Sequence, residues 1–269
     1  MKRWRPSPFI TFSLGLHAAA GASLLIAPSA WELAVGALVA DHLVLALAGL
    51  LPRSRLLGPN LTRLPPAAIA RREIALTIDD GPDPQVTPQV LDILDAAGAK
   101  ATFFCIGRRA AAHPALVRDI VARGHAIENH SEHHWKRFST FGFKGMHAEV
   151  AAAQATLGGL TGRPPRFFRA PAGLRNPFLD PVLARLDLRL ATWTRRAYDT
   201  RNGNPARVLA RLAGDGPSTL AAGDILLLHD GNAARGPDGQ AVILAVLPPL
   251  LARIRAAGLT PVTLAAACP

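Results

Sequence analysis

Tyrosine occurs once in these 269 residues, at Tyr198, and cysteine and methionine only twice each. Two cysteines, Cys105 and Cys268, cannot build the multi-bridge framework of a small secreted scaffold, so an apolar core must hold the chain together. Cys105 stands inside an apolar run and reads as a small core residue rather than a reactive thiol. Acidic residues are also few: 19 Asp and Glu against 30 Lys and Arg leave a net charge of +11. The surplus arginines are scattered and no basic stripe is interleaved with aromatics, which argues against a nucleic-acid partner. Attraction to anionic lipid head groups or phosphorylated substrates fits the excess better. No internal repeat or low-complexity tract appears beyond a general richness in Ala and Arg.

Long apolar runs, by contrast, are present at the start. Residues 9–27 and 31–51 are almost wholly apolar and separated by Pro28-Ser29. Each is close to the ~20 residues that cross a bilayer as a helix. A cleaved signal peptide competes with this reading, but Pro28-Ser29-Ala30 is a poor small-x-small site and a second run follows at once. Lys2, Arg3 and Arg5 flank one outer end and Arg53 and Arg55 the other, while the link carries no charge. The positive-inside rule then gives an inner-membrane hairpin with both ends, and the domain after it, in the cytoplasm. Asp41 and His42 disturb this picture, because a charge near mid-membrane costs ~3 kcal/mol on insertion scales. They are expected to pair with each other or with His17, to face the other helix, or to mark a monotopic rather than spanning segment. The expected organisation is a membrane hairpin over 1–55, a proline-marked linker over 56–72 and a catalytic α/β domain over 73–269.

From residue 73 strands alternate with helices. Strands are expected at 73–78, 101–106, 126–129, 167–170, 188–194, 224–228 and 261–264, with helices at 87–98, 114–123, 146–157, 205–213 and 240–257. Seven strands in βα alternation predict a parallel sheet, doubly wound or closed as a barrel. Polar clusters follow the first, third, fourth, fifth and sixth strands, and they converge most easily if the strands ring a common mouth. The expectation is a distorted seven-stranded (β/α) barrel behind two hydrophobic helices.

The first cluster is Asp79-Asp80-Gly81-Pro82. Adjacent carboxylates raise each other's pKa, and a shared cation removes that cost. Such a pair divides labour naturally: one carboxylate binds the metal and its neighbour accepts a proton from water. His130 and His134, four apart, are expected to share one side of a helical turn and with Asp80 to form a two-histidine, one-carboxylate set suited to zinc. His133 is the spare. Arg169, in Arg169-Ala170-Pro171-Ala172-Gly173, can hold a carboxylate ionised. His229 is a natural general acid for an amine leaving group, and Asp199 a partner that fixes its tautomer and raises its pKa.

The order T-I-D-D-G, H-S-E-H-H, R-A-P-A-G, an Asp past a Trp-bearing strand, and L-L-H resembles the polysaccharide deacetylase family, carbohydrate esterase family four, over roughly residues 72–264. The resemblance implies metal-dependent hydrolysis of N- or O-acyl groups on sugars, here an N-acetyl group on an amino sugar. It implies Asp79 as general base, Asp80, His130 and His134 as ligands of one divalent metal (Zn2+), and Arg169 as the tether of the base. It further implies His229 as catalytic acid, Asp199 as its partner, Leu227 as a wall of the acyl pocket and the Ala172 amide in the oxyanion hole. Two departures bear on substrate: Ala172 stands where the family usually has an aromatic, and Thr200 follows Asp199 where a Trp is common. A cytoplasmic site favours a lipid-linked amino sugar over assembled wall polysaccharide, with membrane lipids as further partners. A membrane-tethered glycan-binding protein without turnover is the alternative, and a phosphohydrolase is disfavoured by the lack of carboxylates for a second metal.

Overall fold

The computed structural model describes residues 4–214 and 220–269; Lys2 and Arg3, part of the expected basic flank, lie outside the described residues. The two apolar runs form helices α1 (Pro8–Ile26) and α2 (Trp31–Leu50), joined by a short 3-10 turn at Pro28–Ala30. Ser7 caps α1, its hydroxyl accepting from the Ile10 amide at 3.2 Å with Pro8 at the first helical position. By length and composition both helices suffice to cross a membrane. Their outward side chains, Leu25, Ile26 and Leu33 among them, are exposed, as an apolar surface made for lipid or another partner would be. Asp41 faces the opposite helix, accepting from the Ser13 hydroxyl at 2.7 Å, with His17 Nδ1 3.9 Å away. His42 stays exposed, its ring 5.1 Å from that of His17.

The chain leaves α2 without a free tether. Gly49 lies so close to the backbone of Arg175 that a Cβ there would sit 2.2 Å from the Arg175 carbonyl oxygen. The Arg175 amide donates back to the Gly49 carbonyl at 3.1 Å, and its guanidinium donates to the Ser54 carbonyl at 2.7 Å. Asn60 donates to the carbonyls of Pro52 and Ser54 at 2.9 and 3.0 Å. The stretch expected as a linker lies against the barrel: Leu57, Leu64 and Ala68 are buried, and a short helix α3 (Pro66–Ala70) precedes the first strand.

The strands are β1 (Glu73–Asp79), β2 (Thr102–Cys105), β3 (Ala126–Asn129), β4 (Phe167–Phe168), β5 (Arg189–Leu190), β6 (Arg195–Arg196), β7 (Ile225–His229) and β8 (Thr260–Val262). Between them run α4 (Thr87–Ala96), α5 (Gly107–Ala112), α6 (Pro114–Ala122), α7 (Phe143–Thr161), α8 (Leu179–Arg185), α9 (Pro205–Ala213) and α10 (Val242–Ala256), with α11 (Leu264–Ala267) last. All named pairings are parallel, in the order β5-β4-β3-β2-β1-β7-β6, and β8 pairs with the first residues of β1. The sheet curls into a distorted half-barrel, as the strand-end clusters predicted. The expected fifth strand is split. Its first part pairs with β4 and its last with β7, because the chain crosses from one end of the sheet to the other, with Leu61 bridged to Ala191 in the gap.

Period-two alternation sorts the side chains. Ile74, Leu76 and Ile78 of β1 and Leu226 and Leu228 of β7 face outward into the core beneath α4, α6, α9 and α10. Ala75, Ile225 and Leu227 face inward and meet Phe104, Phe167 and Trp193 inside the barrel. A third cluster joins α7 and α8 through Met146, Val150 and Val182. The inward rows of β1 and β7 therefore run Ala75-Thr77-Asp79 and Ile225-Leu227-His229. Each ends in a polar residue at the mouth.

Candidate active site

Strand register brings the first pair together: Asp79 lies opposite His229, and Thr77 opposite Leu227. Arg169, two residues beyond Phe167, completes the inward row of β4. Its side chain is wholly buried, with the guanidinium carbon 4.0 Å from the Phe104 ring centroid. Nη1 donates to Asp79 Oδ1 at 2.6 Å and to Thr77 Oγ1 at 2.8 Å, and Nη2 to the Thr192 carbonyl at 2.8 Å. Burial draws the Arg169 pKa down and Asp79 pulls it back up. The pair is thus a desolvated, multiply hydrogen-bonded ion pair that aims one Asp79 oxygen into the mouth.

The candidate metal-binding set, Asp80, His130 and His134, is assembled by loops. Asp80 has a left-handed backbone (φ 74°), and so have Ser131 (φ 64°) and His134 (φ 54°). The expected helical turn from His130 to His134 is absent. A tight turn replaces it, in which the Ser131 amide donates to Asn129 Oδ1 at 2.9 Å and the His134 amide to Ser131 Oγ at 3.0 Å. The result is the same in space: His130 Nε2 and His134 Nε2 lie 3.1 and 3.2 Å from Asp80 Oδ1. His130 Nδ1 is 2.8 Å from the Arg169 carbonyl, which can only accept, so that network assigns the proton to Nδ1 and leaves Nε2 a lone pair. Asp80 Oδ1 is buried and has no hydrogen-bond donor. A buried carboxylate oxygen without a donor, facing the His130 lone pair and the His134 ring, fits a cation. Burial pushes His134 down to about 4, with His130 adding to the effect, so its imidazole is neutral as a ligand's must be. His133 turns away to Glu149, its Nδ1 2.8 Å from Oε1.

Residues not singled out in the sequence reading hold Asp80 in place. Asn232 donates to Asp80 Oδ2 at 2.8 Å, and Arg109 clamps the Asp80 and Gly231 carbonyls at 2.8 Å each. Thr87 donates to Asp230 Oδ2 at 2.5 Å, and Asp230 itself is pushed up to about 7, first by burial and also by the charge of Asp80. Thr77, which accepts from Arg169, carries a sequence signal of its own, two residues before Asp79 on the same face of β1. Asn232 follows His229 in the same strand-end loop. Arg109 sits on α5, where nothing in the local sequence marks it.

On the other wall, His229 Nδ1 is 2.8 Å from Asp199 Oδ1, and the His229 amide donates to Asp199 Oδ2 at 2.7 Å. Burial favours the neutral ring, but the Asp199 hydrogen bond and charge, with Asp79 and Asp80 behind, raise His229 to about 9. A proton donor acts only while protonated, so activity that depends on it falls as pH rises through this value. Asp199→Asn removes the main raising influence. Its alkaline limb in a kcat–pH profile should move at least about one unit lower, and an unmoved limb would separate His229 from the proton transfer.

Leu227 is buried in β7 beside Trp193. Ala172 is exposed at the lip, in a left-handed conformation (φ 56°) within the Pro171–Gly173 turn. Eight of the nine residues expected from the sequence stand at or just past a strand end of one half-barrel, and Leu227 lies two residues inside, in register with Thr77.

Comparison with known proteins gives a consistent picture. A family model described as polysaccharide deacetylase matches residues 68–191. A chitooligosaccharide deacetylase of Azorhizobium caulinodans is 36% identical over 159 residues, covering 59% of this chain and 73% of that protein. A peptidoglycan-N-acetylglucosamine deacetylase of Bacillus cereus is 34% identical over 179 residues, covering 66% and 81%. The crystal structure of a peptidoglycan N-acetylglucosamine deacetylase bound to an N-hydroxybenzamide superposes with a TM-score of 0.68 at 25% identity, covering 77% of this chain and 91% of that one.

Proposed function

This chain belongs to the polysaccharide deacetylase family and is a carbohydrate deacetylase, and from that premise we propose that it hydrolyses the N-acetyl group of an amino sugar, N-acetylglucosamine in a glycan or on a lipid carrier. The observation that carries the reading is the convergence at one barrel mouth of Asp79 held by Arg169, His229 held by Asp199, and the set Asp80, His130 and His134. That set would hold one zinc ion, whose chemistry is to polarise the acyl carbonyl and make water more acidic. Asp79, held in place by Arg169, accepts the proton of the attacking water. The Ala172 amide is assigned to the oxygen that becomes negative as the carbonyl carbon turns tetrahedral. His229 protonates the nitrogen as the C–N bond breaks, so acetate and a free amine leave. Leu227 is assigned to the wall of the acetyl pocket.

In the same proposal residues 1–55 anchor the protein in the inner membrane, 56–72 join the anchor to the barrel and 73–269 form the catalytic domain on the cytoplasmic side. Two apolar helices with arginines at their outer ends, Arg5 and Arg53 among the described residues, support this. Acetate release from chitotetraose by the full chain tests the activity; it should vanish on chelation and return with zinc. A reporter fused after Pro269 should be active on the cytoplasmic face only. Activity that survives exhaustive chelation would remove the metal from the reading, and an external reporter would reverse the orientation.

A further inference from the structure

A second concavity of about 630 Å³ lies where the chain leaves α2 and meets the barrel. Arg53, Arg55 and Arg196 line it together with Trp193, Tyr198 and Leu51, and among the described residues no carboxylate does. Among the described residues none of these three arginines forms an ion pair. Arg53 and Arg55 make only long hydrogen bonds, at 3.3 Å, to the Thr194 carbonyl and the Thr62 hydroxyl. Arg196 is held between two rings, its guanidinium carbon 5.2 Å from the Trp193 centroid and 4.9 Å from that of Tyr198. Its Nε is buried and meets no acceptor. Three arginines without carboxylate partners, one of them fixed between two rings with a buried unpaired Nε, offer an anion charge and a directed donor.

The concavity adjoins the catalytic mouth. Arg196 is the register partner of Leu227, and Tyr198 precedes Asp199. Trp193 is shared, with the Arg169 guanidinium carbon 5.8 Å from its ring centroid. A Cβ on Gly173, next to Ala172, would lie 2.5 Å from the Trp193 ring and 2.9 Å from Pro52. The other rim is apolar, made by exposed Leu51 and Leu56 just past the end of α2. An anion in the pocket would therefore stand between a barrel mouth that takes a sugar and a helix end that meets lipid.

We propose that this pocket binds the phosphate or diphosphate joining an amino sugar to a lipid carrier, so that the substrate is recognised by its linker as well as by its acetylated sugar. The inference rests on the deacetylase and membrane-anchor readings above. A phospholipid head group of the bilayer, or free phosphate, offers the same chemistry from another source, and the test separates them.

The experiment compares full-length protein in mixed micelles on two acetylated probes: neutral chitotetraose, and N-acetylglucosamine joined through a diphosphate to a polyprenyl chain. Wild type should favour the second in kcat/KM. The double variant Arg53→Gln/Arg55→Gln, and separately Arg196→Gln, should each reduce that preference about tenfold or more, while acetate release from chitotetraose reports that each variant is folded. A preference that persists in both variants overturns the pocket. Loss of binding to sugar-free phosphatidylglycerol vesicles with the preference intact assigns the arginines to the bilayer, and inhibition of chitotetraose turnover by inorganic phosphate, lost in the variants without a change in preference, assigns them to a free anion; either overturns the proposal. Release from chitotetraose with no preference for the lipid probe overturns this inference alone. No release from either probe overturns the deacetylase reading beneath it.

Discussion

Asp79→Asn should lower kcat by about 10²–10⁴-fold, the usual contribution of a positioned general base, without lowering metal content from that of wild type. The carboxylate's task is to accept a proton, and the amide that replaces it has the same shape but cannot. Arg169 still finds an oxygen at 2.6 Å if the amide turns its carbonyl toward Nη1, so the fold is preserved. The candidate set Asp80, His130 and His134 is untouched, so metal measured per chain should stay at the wild-type level. His134→Ala gives the reverse pattern, because it removes one of three converging donors and metal content falls along with turnover. Normal turnover in Asp79→Asn would sink the assignment of the base.

Arg169→Met should be the most destabilising single change at the site, by about 3–5 kcal/mol, as when one partner of a buried ion pair is deleted. The guanidinium has no exposed surface and spans Asp79, Thr77 and the carbonyls of Ala191 and Thr192. Methionine fills part of its volume and answers none of these acceptors. Asp79 is then a buried charge without a counterion. For a domain of this size the loss corresponds to a fall in Tm of roughly 10 °C. The double variant Asp79→Asn/Arg169→Met should recover part of it by removing the uncompensated charge. If the double variant melts no higher than Arg169→Met, the destabilisation comes from lost packing and carbonyl contacts, not from the stranded carboxylate.

How much of this could be read from sequence depends on whether a residue's role follows from local pattern. Asp79, Arg169 and His229 were legible because each ends an apolar strand whose alternation fixes the inward face. Asp80 and the two histidines were legible by type and spacing, though not by conformation: the left-handed turns at Ser131 and His134 do in a loop what a helical turn was expected to do. Arg109 and Asn232 were not legible. They act on Asp80 across long separations in sequence, and polar residues in such places usually face solvent. The split of the fifth strand was hidden for a related reason. Residues 188–194 have the apolar character of one strand, and only the curl of the sheet makes them serve two edges.

The joint at Gly49 and Arg175 has a consequence for reach. A barrel on a flexible leash would sweep a hemisphere around its anchor and could work on polymers well away from it. Here the end of α2 is bonded to the loop that follows the Ala172 turn, and Asn60 ties the exit peptide to the barrel by donating to the Pro52 and Ser54 carbonyls and accepting from the Thr192 hydroxyl. If α1 and α2 lie in a bilayer, this joint holds the cleft at a constant height and tilt above the surface. Encounters with a substrate in the same bilayer would then be a search in two dimensions, governed by its density per unit area.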